Sequence, residues 1–76
     1  MDVYPNPASE VINIELSADY VELKIINTLG EIVKTHHLRN SSEKIDLSYL
    51  KNGFYFVQVE STHGVMCKKI IVQHNQ

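Results

Sequence analysis

Apolar side chains recur at every second position in short runs along this chain, and nowhere do they keep the three-and-four spacing of a helix. Across residues 10–16, Ile12, Ile14 and Leu16 share one face while Asn13 and Glu15 share the other. Across 20–27, Val21, Leu23 and Ile25 alternate with Glu22 and Lys24. Across 54–60, Tyr55, Val57 and Val59 alternate with Phe56, Gln58 and Glu60. Side chains on a strand point alternately to its two faces, so these runs read as half-buried antiparallel strands. Residues 44–47 form a shorter strand with Ile45 and Leu47 inward. Residues 32–38 are a weaker strand, since Ile32 and Val33 cannot both point inward. Residues 65–72 are β-rich, yet either phase buries a lysine; a bulge would resolve the conflict, and the register stays open.

The breaks between these runs are specific. Pro5 and Pro7 lack backbone donors, so 4–7 is at most an edge strand or an entry loop. Residues 17–19 turn between two strands. Residues 27–31 form a hairpin loop in which Gly30 supplies a positive φ. Residues 39–42 are a polar loop, and 48–53 a turn that ends in Asn52-Gly53. Residues 62–64 make the last hairpin. About seven short antiparallel strands at this spacing predict an all-β sandwich. Glu31 and the prolyl segment help to blunt its edges.

A chain of 76 residues, 43% hydrophobic and 21% charged, is one ordinary globular domain. A net charge of −2 offers no basic field for nucleic acid. No apolar run approaches the roughly 20 residues needed to span a bilayer. The first residues show no charged-then-apolar leader, so 1–76 reads as one domain excised from a longer precursor. Cys67 has no partner for an internal disulfide and is expected to be a small, buried, inert strand residue.

Catalytic and metal constellations do not assemble from these residues. His36 and His37 are consecutive on a strand and diverge, His63 sits in a turn and His74 in a polar tail; all four read as surface histidines rather than metal ligands. Asp46 and Ser48 flank the entry to a turn, where short polar side chains bond the backbone, and no nucleophile elbow surrounds Ser48. Glu10, Glu15 and Glu22 lie on outer strand faces. Asn40-Ser41-Ser42 matches a glycosylation triplet, a pattern common by chance in polar loops. No catalytic residue, cofactor or metal site is expected, and no enzymatic activity. Phe54 and Phe56 fall opposite the core-facing Tyr55, Val57 and Val59. They are either covered by a neighbouring segment or form a docking patch. Lys68-Lys69 is either a solvated edge or a polar contact to a receptor.

Along the chain stand, in this order, Tyr4-Pro5-Asn6-Pro7-Ala8, Leu29-Gly30-Glu31-Ile32-Val33, Asp46-Leu47-Ser48, Leu50-Lys51-Asn52-Gly53-Phe54-Tyr55 and Lys68-Lys69-Ile70-Ile71-Val72. This set of marks resembles the type A C-terminal sorting domain of the type IX secretion system of Bacteroidetes. The resemblance covers 4–72, with His74-Asn75-Gln76 extending past the usual end. It implies an immunoglobulin-like β-sandwich at the end of a larger cargo protein. It implies passage through the periplasm, recognition by the outer-membrane translocon, and removal by a sortase-like peptidase at the cell surface. Recognition is then expected at Gly53, Phe54, Tyr55, Phe56, Lys68 and Lys69. Pro5, Asn6, Pro7, Gly30, Asp46, Leu47 and Ser48 are expected to serve structure. The alternative is an accessory carbohydrate- or protein-binding module of a secreted enzyme, although the chain has no Trp; a plain spacer domain is a third reading.

Overall fold

The computed structural model describes residues 1–16, 20–62 and 64–74. The alternating runs become β1 (Asp2–Tyr4), β2 (Val11–Glu15), β3 (Tyr20–Asn27), β4 (Ile32–His37), β5 (Ser42–Asp46), β6 (Gly53–Ser61) and β7 (Gly64–Val72). They build one sheet in the order β1-β2-β5 and another in the order β4-β3-β6-β7, with every pair of neighbouring strands antiparallel. Lettered as immunoglobulin strands, the sheets read A-B-E and C′-C-F-G. The expected all-β, immunoglobulin-like sandwich is therefore the architecture found. The expected turn at 17–19 and the tip of the last hairpin at His63 lie outside the described residues.

The period-two pattern fills the space between the sheets. Ile12, Ile14 and Ile45 from one sheet meet Leu23, Ile25, Val57, Val59, Ile70 and Val72 from the other, all essentially inaccessible to water. Leu38, Leu47 and Leu50 lie outside the strands and plug the crossings between the sheets. Burying each such side chain stabilises the fold by about 1.5–3 kcal/mol relative to leaving it in water.

Three details of phase differ from simple alternation. Val21 is exposed, because the pairing shifts register between Tyr20 and Glu22 and leaves Val21 as the extra residue. The conflict at Ile32 and Val33 is resolved by a second shift. Ile25 pairs with Lys34 and Ile26 with Ile32, so the unopposed Val33 packs on the core and Ile32 stays outside. No bulge relieves β7: its pairing with β6 runs unbroken from Gly53↔Val72 to Ser61↔Gly64. Lys68 takes the core-side phase, opposite Val57, and yet is exposed along with all of 64–69. Cys67 is exposed as well, contrary to the expected buried thiol. Among the described residues no layer covers this half of the outer strand, so neither phase buries a charge.

The crossing from β4 to β5 carries a polar clip. His36 donates from Nε2 to the Glu43 carboxylate at 2.9 Å, and the backbone N–H groups of Arg39 and Asn40 donate to its other oxygen at 2.7 and 3.3 Å. Partial burial pushes the Glu43 carboxyl up, but these donors together outweigh it and hold it below its ordinary value. His36 is thus a clip between the sheets rather than a plain surface histidine.

Candidate functional site

The registers bring four of the five sequence marks, and the final residues of the fifth, to one end of the sandwich. Tyr4 ends β1 opposite Asn13, and Asp46 ends β5 opposite Val11. Asn27 ends β3 opposite Tyr55, and Val72 ends β7 opposite Gly53. The prolyl segment, the hairpin glycine, the Asp-Leu-Ser turn, the Leu-x-x-Gly turn and the end of the last strand are therefore neighbours in space.

Most of these marks hold backbone. Pro5 and Pro7 follow cis peptide bonds and flank Asn6. The Asn6 side-chain carbonyl accepts the Ile71 N–H at 3.0 Å, the buried Ala8 donates its N–H to the Ile71 carbonyl at 2.8 Å, and Gln73 donates back to the Ala8 carbonyl at 2.8 Å. The first loop thus clamps the outer side of the last strand. Asp46 accepts the Ser48 N–H at 3.0 Å, and Leu47 is buried while its N–H donates to the Glu10 carbonyl at 2.7 Å. The hydrogen bonds from Ser48, backbone first, hold the Asp46 carboxyl below its usual range. Tyr55 sinks its ring into the core and donates its hydroxyl to the Lys51 carbonyl at 2.7 Å. His74 donates its N–H to Asn52 Oδ1 at 2.9 Å and its ring N–H to the Leu50 carbonyl, which ties the tail to the same turn. At the tip of the adjacent hairpin, Asn27 Oδ1 accepts from the N–H groups of Leu29 and Glu31, and Gly30 has a φ of +85°.

The six expected recognition residues separate into three groups. Phe54, Phe56 and Lys69 come together on the outer face of the four-stranded sheet, the phenylalanines 48% and 36% exposed, so no neighbouring segment covers them. The Lys69 ammonium lies 4.5 Å from the centre of the Phe54 ring, a cation–π contact. Tyr55 faces the core and Gly53 starts the strand with a φ of +151°, so both hold the frame. Lys68 points to the other side of β7. Sequence reasoning did not reach Ile26 and Ile32, which continue the row Ile32–Ile26–Phe56–Lys69 across all four strands, nor Ile71, which pairs with Phe54. Only the pairing registers align these residues. His74 was missed too; its neighbourhood in sequence carries no signal of the contact. Among the described residues no three His, Cys, Asp or Glu side chains are placed to hold a metal, and no helix is long and apolar enough to cross a membrane.

The sequence profile of the secretion system C-terminal sorting domains matches residues 2–73. This chain belongs to that family, the type IX sorting domains. The sorting domain is a C-terminal signal for secretion, and its family is non-catalytic. It works with the type IX machinery and a cargo domain, and leads to export to the cell surface or beyond, with the tail typically cleaved. A protein of Zobellia galactanivorans named beta-agarase D is 38% identical over 72 residues, which cover 95% of the sorting domain and 14% of that protein. The sorting domain thus spans only a small part of the relative's length.

Proposed function

We propose that the outer-membrane translocon reads this sorting domain at the Phe54–Phe56–Lys69 face, while the clamped pole keeps that face in one conformation. The domain itself catalyses nothing. It forms the C-terminal unit, 1–76, of a larger precursor whose N-terminal part is the cargo. The precursor crosses the periplasm, and a sortase-like peptidase removes the domain after translocation. The observation that carries the reading is the row of exposed Ile32, half-buried Ile26, exposed Phe56 and exposed Lys69 beside Phe54. Exposed aromatic side chains beside a cation are typical anchors of partner sites. Asn6, Asp46, Leu47, Ser48 and Tyr55 support the reading in another way: they are spent on backbone and core contacts and leave that row free.

The test is an export assay. A reporter carrying a signal peptide and residues 1–76 is placed in a Bacteroidetes strain with this secretion system and in its translocon mutant. The wild-type domain should deliver the reporter outside the cell and be lost from it, and the mutant strain should retain the fusion in the periplasm. Replacing Phe54 and Phe56 together by Ser, and Lys69 by Ala, should leave a folded domain that is retained. Normal export of both folded variants would overturn the assignment of the face.

A further inference from the structure

The outer edge of β7 is half occupied. Ile71 turns its N–H and C=O away from β6, toward Asn6 and Ala8. On an antiparallel strand, residues of one parity direct both backbone groups to the same side. Lys69, Cys67 and Val65 therefore also present N–H and C=O outward. Among the described residues nothing bonds these groups, since the prolyl clamp reaches only Ile71–Gln73. Both faces of the same stretch are open to water, with Val65 57% and Met66 41% exposed. An incoming strand would meet neither a covering layer nor a competing backbone.

Charge selects the occupant. Lys68 and Lys69 stand at the clamp-side end of the open stretch on opposite faces, and among the described residues no carboxylate pairs with either. Two copies of β7 joined edge to edge would gather four ammonium groups over a few residues, which disfavours self-pairing. A strand with adjacent acidic residues presents one carboxylate to each face and would neutralise both lysines. We propose that the Val65–Lys69 edge accepts an added β-strand from a different polypeptide, an extended segment carrying neighbouring acidic residues. Main-chain bonds to Val65, Cys67 and Lys69 give the attachment and the two lysines give the selection. The inference does not rest on the aromatic face being the translocon's contact, because the edge is open whichever protein carries the segment.

The probe is a synthetic β-forming peptide of about eight residues, Val and Thr around a central Glu-Glu pair. Its control is the same peptide with Lys-Lys. Amide spectra and hydrogen exchange of the 76-residue chain are followed on titration. The Glu-Glu peptide should shift the amides of Val65, Cys67 and Lys69 and slow their exchange by about tenfold or more, while the Lys-Lys peptide leaves them unchanged. Lys68→Glu with Lys69→Glu should invert that preference. Cys67→Pro removes one outward N–H and no bond to β6, so it should abolish binding in a domain that keeps its spectrum. Three results would overturn the proposal: no peptide response at these amides, equal binding of both peptides, or concentration-dependent shifts of these amides in the free chain, which would assign the edge to a second copy.

Discussion

From Ile70 to Val72 the last strand is held on both edges and on its core face. Ile70 and Val72 enter the core, β6 bonds one edge, and Asn6 and Ala8 bond the other. From Gly64 to Lys69 the same strand is held by β6 on one edge, with its side chains in water on both faces. Both halves are β-forming in composition, so propensity does not separate them. The second layer and the prolyl clamp do. A strand of this kind can be rigid at one end and available at the other, and the small polar marks near the termini decide where the boundary falls.

That contrast is breakable. The largest effect is expected from Ile70→Ala, which opens a cavity between the sheets and should cost about 2–5 kcal/mol in chemical denaturation. Met66→Ala, in the open half and on the same face of the strand, should cost under about 1 kcal/mol. Equal losses would mean that the open half is packed after all. Gly53→Ala comes next. Nothing lies within 4 Å of the position its Cβ would take, but φ is +151°, so the loss of about 1–3 kcal/mol is backbone strain. A bulkier Gly53→Val should therefore be no worse through crowding. Asn6→Ala removes the acceptor of the Ile71 N–H and should cost about 1 kcal/mol. It should raise hydrogen exchange at Ile71 and leave Cys67 and Lys69, already open, as they were. Exchange rising along the whole strand would show that the clamp stabilises both halves.

The strands, the core and the turns were legible because each rests on local chemistry. Alternation marks Ile12, Ile14, Tyr55, Val57 and Val59 as inward, and Gly30 and Asn52-Gly53 mark reversals of the chain. Long-range register was not legible. Nothing local tells that Val21 and Val33 are extra residues at pairing shifts, or that Ile26 and Ile32 align with Phe56. The β7 problem shows the same limit from the other side. A lysine in a core phase looks like a conflict only if the partner layer is assumed to extend over it. Of the candidate site, Phe54, Phe56 and Lys69 could be placed on one face from strand parity once the register was known. Tyr55 was assigned to recognition on motif grounds alone, although its own alternation already placed it inside. His36 and His74 could not be read from sequence at all, because their partners, Glu43 and Leu50, are brought to them by crossings between the sheets.

The smallest expected effect separates the two halves by pH. The Glu43 carboxyl is depressed in the folded domain, so its contribution is present above its ordinary value and is lost as the pH falls through the folded one. Glu43→Gln should cost about 1 kcal/mol near neutrality and flatten the acid side of the stability curve. A residual slope should remain from Asp46, which Ser48 also depresses. The clip lies on the β4–β5 crossing and touches no part of β7. Amides of the clamped half exchange only when the whole domain opens, so protection at Ile70 and Val72 should fall together with global stability as acid is added. Amides of Val65, Cys67 and Lys69 are open without unfolding, and their protection should be the same in Glu43→Gln as in the wild type at every pH. If instead the open half tracks the titration of Glu43, those amides are protected by global structure. The difference between the two halves of β7 would then be one of side-chain exposure alone.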